Sequence, residues 1–150
     1  MNKQINMVAF CGLFCRDCIF YKGKAADLAQ KLLTELDEYA FEKTAKLLEA
    51  MPGMRTFEGY KDFRSLLSGL TQLKCNTVCK ESGGGADCKM RLCCTEKGYQ
   101  GCWECADYKE CTNLQALKQN HGSVNIHNLD VISEKGIDAF LSGKSLWYAE

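Results

Sequence analysis

Residues 75–111 read CNTVCKESGGGADCKMRLCCTEKGYQGCWECADYKEC and contain eight of the chain's eleven cysteines. The other three cysteines lie in residues 11–18, which read CGLFCRDC, and no cysteine occurs in residues 19–74. Thiols separated by a few residues in a reduced compartment are metal ligands more often than disulfide partners, and an odd number of cysteines does not fit a closed disulfide framework. The distribution therefore predicts a protein whose cysteine-rich segment is held together by metal.

Two C-x2-C pairs, Cys15 with Cys18 and Cys102 with Cys105, give the most specific signal. A tight turn in such a pair can direct both sulfurs at one ion, and four thiolates form a tetrahedral cage for zinc or iron. Cys94 is left out of the prediction because adjacent sulfurs seldom reach the same ion as a neighbour, here Cys93. The predicted metal ligands are Cys11, Cys15, Cys18, Cys75, Cys79, Cys88, Cys93, Cys102, Cys105 and Cys111.

Zinc is the predicted metal, and two four-thiolate sites would use eight of the eleven cysteines. A [4Fe–4S] cluster in a redox protein is the alternative, because it also takes four thiolates. The C-x3-C-x2-C spacing of Cys11, Cys15 and Cys18 occurs in radical enzymes that use S-adenosylmethionine, but this chain is too short for their barrel and lacks its strand pattern. Which sulfurs share an ion stays open.

The same three thiols, Cys11, Cys15 and Cys18, allow two further interpretations. An enzyme or a metal sensor would use them as a three-thiolate site with an open fourth position. Alternatively, they would be core residues, since free cysteines are often buried as small apolar side chains. Their spacing of four and then three residues would place them on one face of a helix.

The charge pattern bounds the partners. The chain has 19 basic and 19 acidic residues and a formal net charge of zero. Proteins that bind nucleic acid normally carry a basic stripe, and none is visible, so we expect no nucleic-acid partner. No stretch approaches the roughly 20 apolar residues of a membrane span. Arg16 and Asp17 also follow the first apolar run too soon for a signal peptide, so we expect a cytoplasmic protein.

Other chemistry-bearing motifs are sparse. His121 and His127 are isolated, and no cysteine is marked as their catalytic partner. Residues 82–85, Ser-Gly-Gly-Gly, lack the Gly-Lys-Ser/Thr of a phosphate-binding loop and are expected to form a flexible linker. We therefore predict no catalytic residue and no organic cofactor, and the sequence identifies no small-molecule substrate.

Apolar periodicity predicts a mainly α protein, because runs of alternating β-branched and polar residues are missing. Leu28, Leu32 and Leu36 recur every fourth residue and give the first helical region its apolar face. The predicted helices cover about 24–51, as two helices or one bent helix with the slip near Asp37, and about 59–70. A short helix capped by Asp87 and running to Lys97 and a helix over 112–120 follow, with one or two short helices in the tail. We expect a single helical domain with an irregular, metal-stapled segment: residues 1–74 with the first cysteine motif and helices, 75–111 with the metal-binding segment, and 112–150 with C-terminal helices.

Three groups of residues carry a resemblance to a known family: the start Cys11-Gly12-Leu13-x-Cys15-x2-Cys18, the run from Cys88-x-Met90-Arg91-x-Cys93 through Cys102-x2-Cys105 to Cys111-x2-Leu114, and the ending Gly136-x3-Phe140-Leu141. In these residues the chain resembles the family catalogued as domain of unknown function 3795. The resemblance spans nearly the whole chain. It implies a small, cysteine-rich, metal-binding protein and no particular activity.

These observations favour a cytoplasmic protein in which thiolates hold zinc as a structural ion, since four-sulfur zinc sites leave no position for a substrate. Such a protein is expected to act by interaction with another protein or in an accessory role rather than as an enzyme.

Overall fold

The computed structural model of this chain describes residues 4–144 and 147–148, and the mainly α prediction is confirmed. These residues form no β-strand, and their extended pairing is limited to two isolated bridges, Val8 with Phe14 and Tyr21 with Cys75. The helices are α1 Lys24–Glu38, α2 Phe41–Glu49, α3 Tyr60–Thr71, α4 Lys89–Lys97, α5 Thr112–Gln115, α6 Lys118–His121, α7 Val124–Lys135 and α8 Ile137–Ser142. Short 3₁₀ turns cover Ile5–Met7, Cys15–Asp17, Arg55–Gly59, Cys79–Glu81, Cys102–Glu104 and Tyr108–Glu110.

The chain divides into two compact units. Lys22–Lys74 forms one, here called the helical unit, and the described residues of Met1–Tyr21 and Cys75–Glu150 form the other, here called the cysteine unit. The cysteine unit contains all eleven cysteines. Its two segments join where the Cys75 N–H donates to the Phe20 carbonyl at 2.7 Å. The first cysteine motif therefore belongs to the same unit as the cysteine-rich segment, and the helical unit is an insertion between them.

In the helical unit, α1 packs on α3 around Ala29, Leu33 and Leu67. The apolar face predicted for α1 is offset from the buried one, since Leu28 is 55% exposed and Leu32 is 42% exposed. Small alanine side chains on the buried face let two helices approach closely. Of the two alternatives predicted around Asp37, the structure shows two helices: α1 ends at Glu38, and Ala40 has a φ of +46°, which separates α1 from α2.

The core of the cysteine unit forms around α7. Leu129 is fully buried there, together with Leu114 of α5 and Val8. Gly12 has a φ of +84°, and a Cβ at this position would lie 2.9 Å from the Leu129 side chain. The Cys102–Glu104 turn also packs on α7. One central helix therefore supports both a loop of the first cysteine motif and a turn of the cysteine-rich segment.

No helix within the described part of the chain is both long enough and apolar enough to cross a membrane.

Candidate functional site

The first feature of interest is a cavity of about 70 Å³ with five thiols in its wall. Three come from the CGLFCRDC motif and two from the start of the cysteine-rich segment, more than 50 residues later in the chain. Most of the other lining side chains are apolar, among them Ala9, Leu13 and Trp147. We call these five thiols the first cysteine group: Cys11, Cys15, Cys18, Cys75 and Cys79.

Local backbone structure presents these thiols. The loop that contains Gly12 closes through an N–H···O bond of 2.8 Å from Ala9 to Leu13. Cys15 then begins a 3₁₀ turn, and the Cys18 N–H donates to the Cys15 carbonyl at 3.1 Å. As a result, the two thiols of this C-x2-C pair are presented from one tight turn, as the spacing predicts.

Arg91 holds the loop that follows Cys79. Its guanidinium donates to the carbonyls of Gly83 at 2.9 Å and Gly85 at 2.6 Å, and also to those of Cys79 and Ala86. A Cβ on Gly83 would lie 2.2 Å from the nearest backbone oxygen, so only glycine fits there. The prediction of a flexible linker is therefore wrong. The planar guanidinium of Arg91 has five N–H donors, and this suits a loop whose carbonyl oxygens converge on one point.

A second cavity, of about 290 Å³, is also lined by five thiols. Its walls come from α4, the Cys102–Glu104 turn and the start of α5. The Cys102–Glu104 turn repeats the geometry of the first C-x2-C pair, since the Cys105 N–H donates to the Cys102 carbonyl at 3.0 Å. We call these five thiols the second cysteine group: Cys93, Cys94, Cys102, Cys105 and Cys111.

Cys94, which the sequence prediction left out, belongs to this second group. Its side chain is 2% exposed, and its Sγ lies 3.6 Å from Cys102 Sγ. The adjacent Cys93 lines the same cavity. No sequence signal shows which of Cys93 and Cys94 meets Cys102, because this depends on how α4 is rotated against the Cys102–Glu104 turn.

Cys11 belongs to the first group but is also close enough to act electrostatically on the second, and Cys88 acts on Cys11. Burial raises the pKa of Cys11 to about 11, and a smaller contribution comes from the charge of Cys88. Cys11 in turn contributes to raising the pKa values of Cys79 in the first group and Cys102 in the second. Cys88 lines neither cavity, although it was predicted as a ligand with the other nine.

Each group contains one pair of thiols that share a proton. A hydrogen bond from the Cys79 thiol lowers the pKa of Cys15 to about 6, and the same interaction raises the pKa of Cys79. Cys102 likewise lowers the pKa of Cys94 by hydrogen bonding, while its own pKa rises. A thiolate is the form of cysteine that binds metal and attacks electrophiles, so each pair holds one sulfur ready for such chemistry.

The approach of the sulfurs is pairwise. Within residues 4–144 and 147–148, no three or more cysteine, histidine, aspartate or glutamate side chains are arranged as a set that could hold a metal ion. All eleven cysteines are free thiols. His121 lines neither cavity; its ring is stacked against Tyr148 and its Nδ1 lies 2.8 Å from the Trp147 carbonyl oxygen.

Two further side-chain arrangements support the second group. Tyr108 lines its cavity and donates a short hydrogen bond of 2.5 Å to Asp130 on α7. The Lys109 ammonium lies 2.9 Å from the same carboxylate. Chiefly because Tyr108 donates to it, the pKa of Asp130 is lowered. The Trp103 ring lies on Gly101, where a Cβ would come within 2.1 Å of it.

Comparison with known proteins gives one match. The profile of a family described as protein of unknown function, DUF3795, matches residues 7–116. Searches of curated proteins and of solved structures found no match. The matched residues include every cysteine of both groups.

Proposed function

We propose that this chain, which belongs to the DUF3795 family of proteins of unknown function, is a metal-binding protein that holds zinc at its two cysteine groups. One observation carries the proposal: ten thiols from separate parts of the chain line two cavities of one compact unit. Cysteines buried only for packing would have no reason to collect in two sets of five.

The distance within the second group supports a single ion. Four sulfurs about 2.3 Å from zinc in a tetrahedron lie about 3.8 Å from one another. Cys94 Sγ and Cys102 Sγ are 3.6 Å apart, so a zinc ion could take both with little movement. The remaining ligands would come from the other thiols around the same cavity, which close on the ion when it binds. Coupling of this kind between metal binding and local folding is usual for structural zinc.

The chemistry of the donors supports the same conclusion for the first group. Its cavity of about 70 Å³ has room for an ion and little else, and among the described residues of its wall the thiols are the strongest metal donors. Cys75 and Cys79 line this cavity beside the CGLFCRDC thiols. They supply the fourth position that a three-thiolate sensor or enzyme would leave open, which favours a closed site over that alternative.

A closed thiolate site stabilises the fold and offers no position for a substrate. The zinc is therefore structural in this proposal, the protein acts through an interaction or accessory role with another protein, and its location is the reducing cytoplasm, where the thiols stay available.

The test is metal analysis of protein purified without air. We expect about two zinc ions per chain in a colourless sample, since zinc has no visible absorption of its own. After removal of the metal by a strong chelator, amide hydrogen exchange should rise in residues 11–18 and 75–111. Residues 22–74 contain no cysteine and are the internal control, with exchange unchanged.

Two results would contradict the proposal. A brown sample with iron and absorption near 400 nm would replace zinc by an iron–sulfur cluster. Protein that purifies without metal, takes up none, and shows the same circular dichroism and thermal midpoint with and without chelator would remove the metal altogether.

A further inference from the structure

Lys80 places a buried ammonium group against Trp103, which lies within the Cys102–Cys105 pair of the second cysteine group. The residue follows Cys79 directly, and its Nζ has no exposed surface and no hydrogen-bond partner. The Nζ lies 5.0 Å from the centre of the Trp103 ring and 5.7 Å from that of the Phe10 ring. A buried ammonium without an acceptor is costly, and the faces of two aromatic rings offset only part of that cost.

Two groups near Lys80 carry or can carry negative charge. Desolvation lowers the pKa of Lys80, while Glu104 and Cys94 act in the opposite direction by Coulombic attraction. Glu104 already accepts a hydrogen bond of 2.8 Å from the Gln100 N–H. Cys94 is the buried thiol that lies against Cys102. The ammonium therefore lies 5.0 Å from the centre of the Trp103 ring, and Trp103 stands between Cys102 and Cys105 of the second group.

Zinc binding would change the charge at this place. A zinc ion with four thiolates carries about two net negative charges, which is more than the proton-sharing pair of Cys94 and Cys102 carries without metal. A cation close to a buried anionic centre interacts strongly because water is excluded from between them. Lys80 is thus partly compensated by Glu104 and Cys94 in the metal-free protein and more fully compensated once the second group is loaded.

We propose that Lys80 is the counter-cation of the second cysteine group and that its ammonium raises the affinity of this group for zinc. The inference rests on the proposed function and deepens it, because it makes Lys80 a positioning and charge-balancing residue that does not itself bind the metal. Groups outside the ligand shell have large effects of this kind at other metal sites, where their substitution typically costs about 10- to 100-fold in affinity.

Lys97 provides a matched comparison. The charges of Cys93 and Cys105 raise its pKa, so it also faces the second group, but its side chain is exposed to solvent. Salt screens exposed charges, with a Debye length of about 3 Å at 1 M, and screens buried ones much less. The contribution of Lys97 to zinc affinity should therefore vanish in high salt, and that of Lys80 should persist.

The experiment measures zinc affinity by competition with a chromophoric chelator. Lys80→Met should weaken one of two zinc sites by about 10- to 100-fold at both 0.1 M and 1 M NaCl, while Lys80→Arg keeps most of the affinity. Lys97→Met should have a smaller effect that disappears at 1 M NaCl, and Lys118→Met, at an exposed position on α6, should have none. Lys80→Met loaded with one zinc ion per chain is then alkylated, and the modified cysteines are mapped by mass spectrometry. Cys102 and Cys105 should be modified before Cys15 and Cys18, because the second site is the weakened one.

The possible failures are distinguishable. Wild-type protein that binds no zinc overturns the proposed function and this inference together. Wild-type protein that binds two zinc ions, with both sites unchanged in Lys80→Met, overturns the inference alone. If circular dichroism shows that Lys80→Met does not fold, Lys80→Gln, which removes the charge and keeps a polar end, takes its place against Lys80→Arg. Equal zinc affinity in these two variants would also overturn the inference.

Discussion

Replacement of Cys94 by alanine tests the assignment of the second zinc site most directly. Cys94 is buried, and its sulfur is 3.6 Å from that of Cys102, close to the edge of about 3.8 Å expected for a tetrahedral zinc site. We therefore expect Cys94 and Cys102 to be ligands of the same ion. Alanine removes the sulfur without placing a new polar group in the core.

The size of the effect follows from the binding energy of structural zinc. Apparent values are about 10–16 kcal/mol for a full set of ligands at neutral pH, or roughly 2.5–4 kcal/mol for each of four. At about 1.4 kcal/mol per factor of ten, loss of one ligand weakens binding by roughly 10²- to 10³-fold. Cys94→Ala and Cys102→Ala should each show a loss of this order at one site only.

The assay is competition against a chromophoric chelator, combined with the absorption spectrum of the cobalt-substituted protein, which reports the number of thiolate ligands. Cys88→Ala is the matched control, because Cys88 lines neither cavity, and it should keep both sites. Full zinc affinity and an unchanged cobalt spectrum in Cys94→Ala would refute the reasoning. The buried sulfur pair would then be a packing contact, and the ligand would be Cys93.

Two other predictions concern the support around the groups. Gly12→Ala should lower the free energy of unfolding by more than the roughly 1–2 kcal/mol of a left-handed backbone, because its Cβ would press on the Leu129 side chain. Gly98→Ala is the control in urea unfolding, since Gly98 has a φ of +70° but no atom within 4 Å of the added Cβ. An equal loss of unfolding free energy in both variants would contradict the argument from the Leu129 contact. Asp130→Asn should destabilise the protein at pH 7 and progressively less as the pH is lowered below about 4. The pKa of Asp130 is lowered in the fold, so its carboxylate stabilises the protein above the unfolded value near 4, and that contribution is lost as the pH falls through the folded value. Thermal unfolding of the wild type and of Asp130→Asn at pH values between 3 and 7 measures this difference in stability. A difference that does not change with pH would show that the contact of Asp130 with Tyr108 does not depend on charge.

The helices were accessible from the sequence because their signals are local. The region predicted from about Gly59 to Leu70 is observed at Tyr60–Thr71, and Gly98 ends α4 with a left-handed conformation, as expected for a residue without a Cβ. The cap predicted at Asp87 is wrong, since α4 begins after Cys88. The face that α1 buries was also displaced from the leucine repeat, because packing on α3, and not the repeat itself, decides which face is covered.

Which cysteines come together could not be predicted from the sequence in the same way. Cys15 meets Cys79 because the chain returns at Cys75 to the point it left at Tyr21, and no local pattern encodes that return. The same holds for Cys94, whose partner Cys102 is fixed by the rotation of α4. Spacing predicted which residue types would carry the chemistry, whereas long-range contacts determine which of them are neighbours.

The bridge between Tyr21 and Cys75 has a consequence for how such chains can vary. Since departure and return occur side by side, the intervening 22–74 portion closes a loop whose length matters little, about 0.6 kcal/mol for each doubling. A shorter connector, or a foreign domain whose termini lie near each other, could take its place while the thiol-lined cavities keep their walls. This junction is thus a point at which one inserted segment could be exchanged for another, since the described residues that line the two cavities lie outside 22–74.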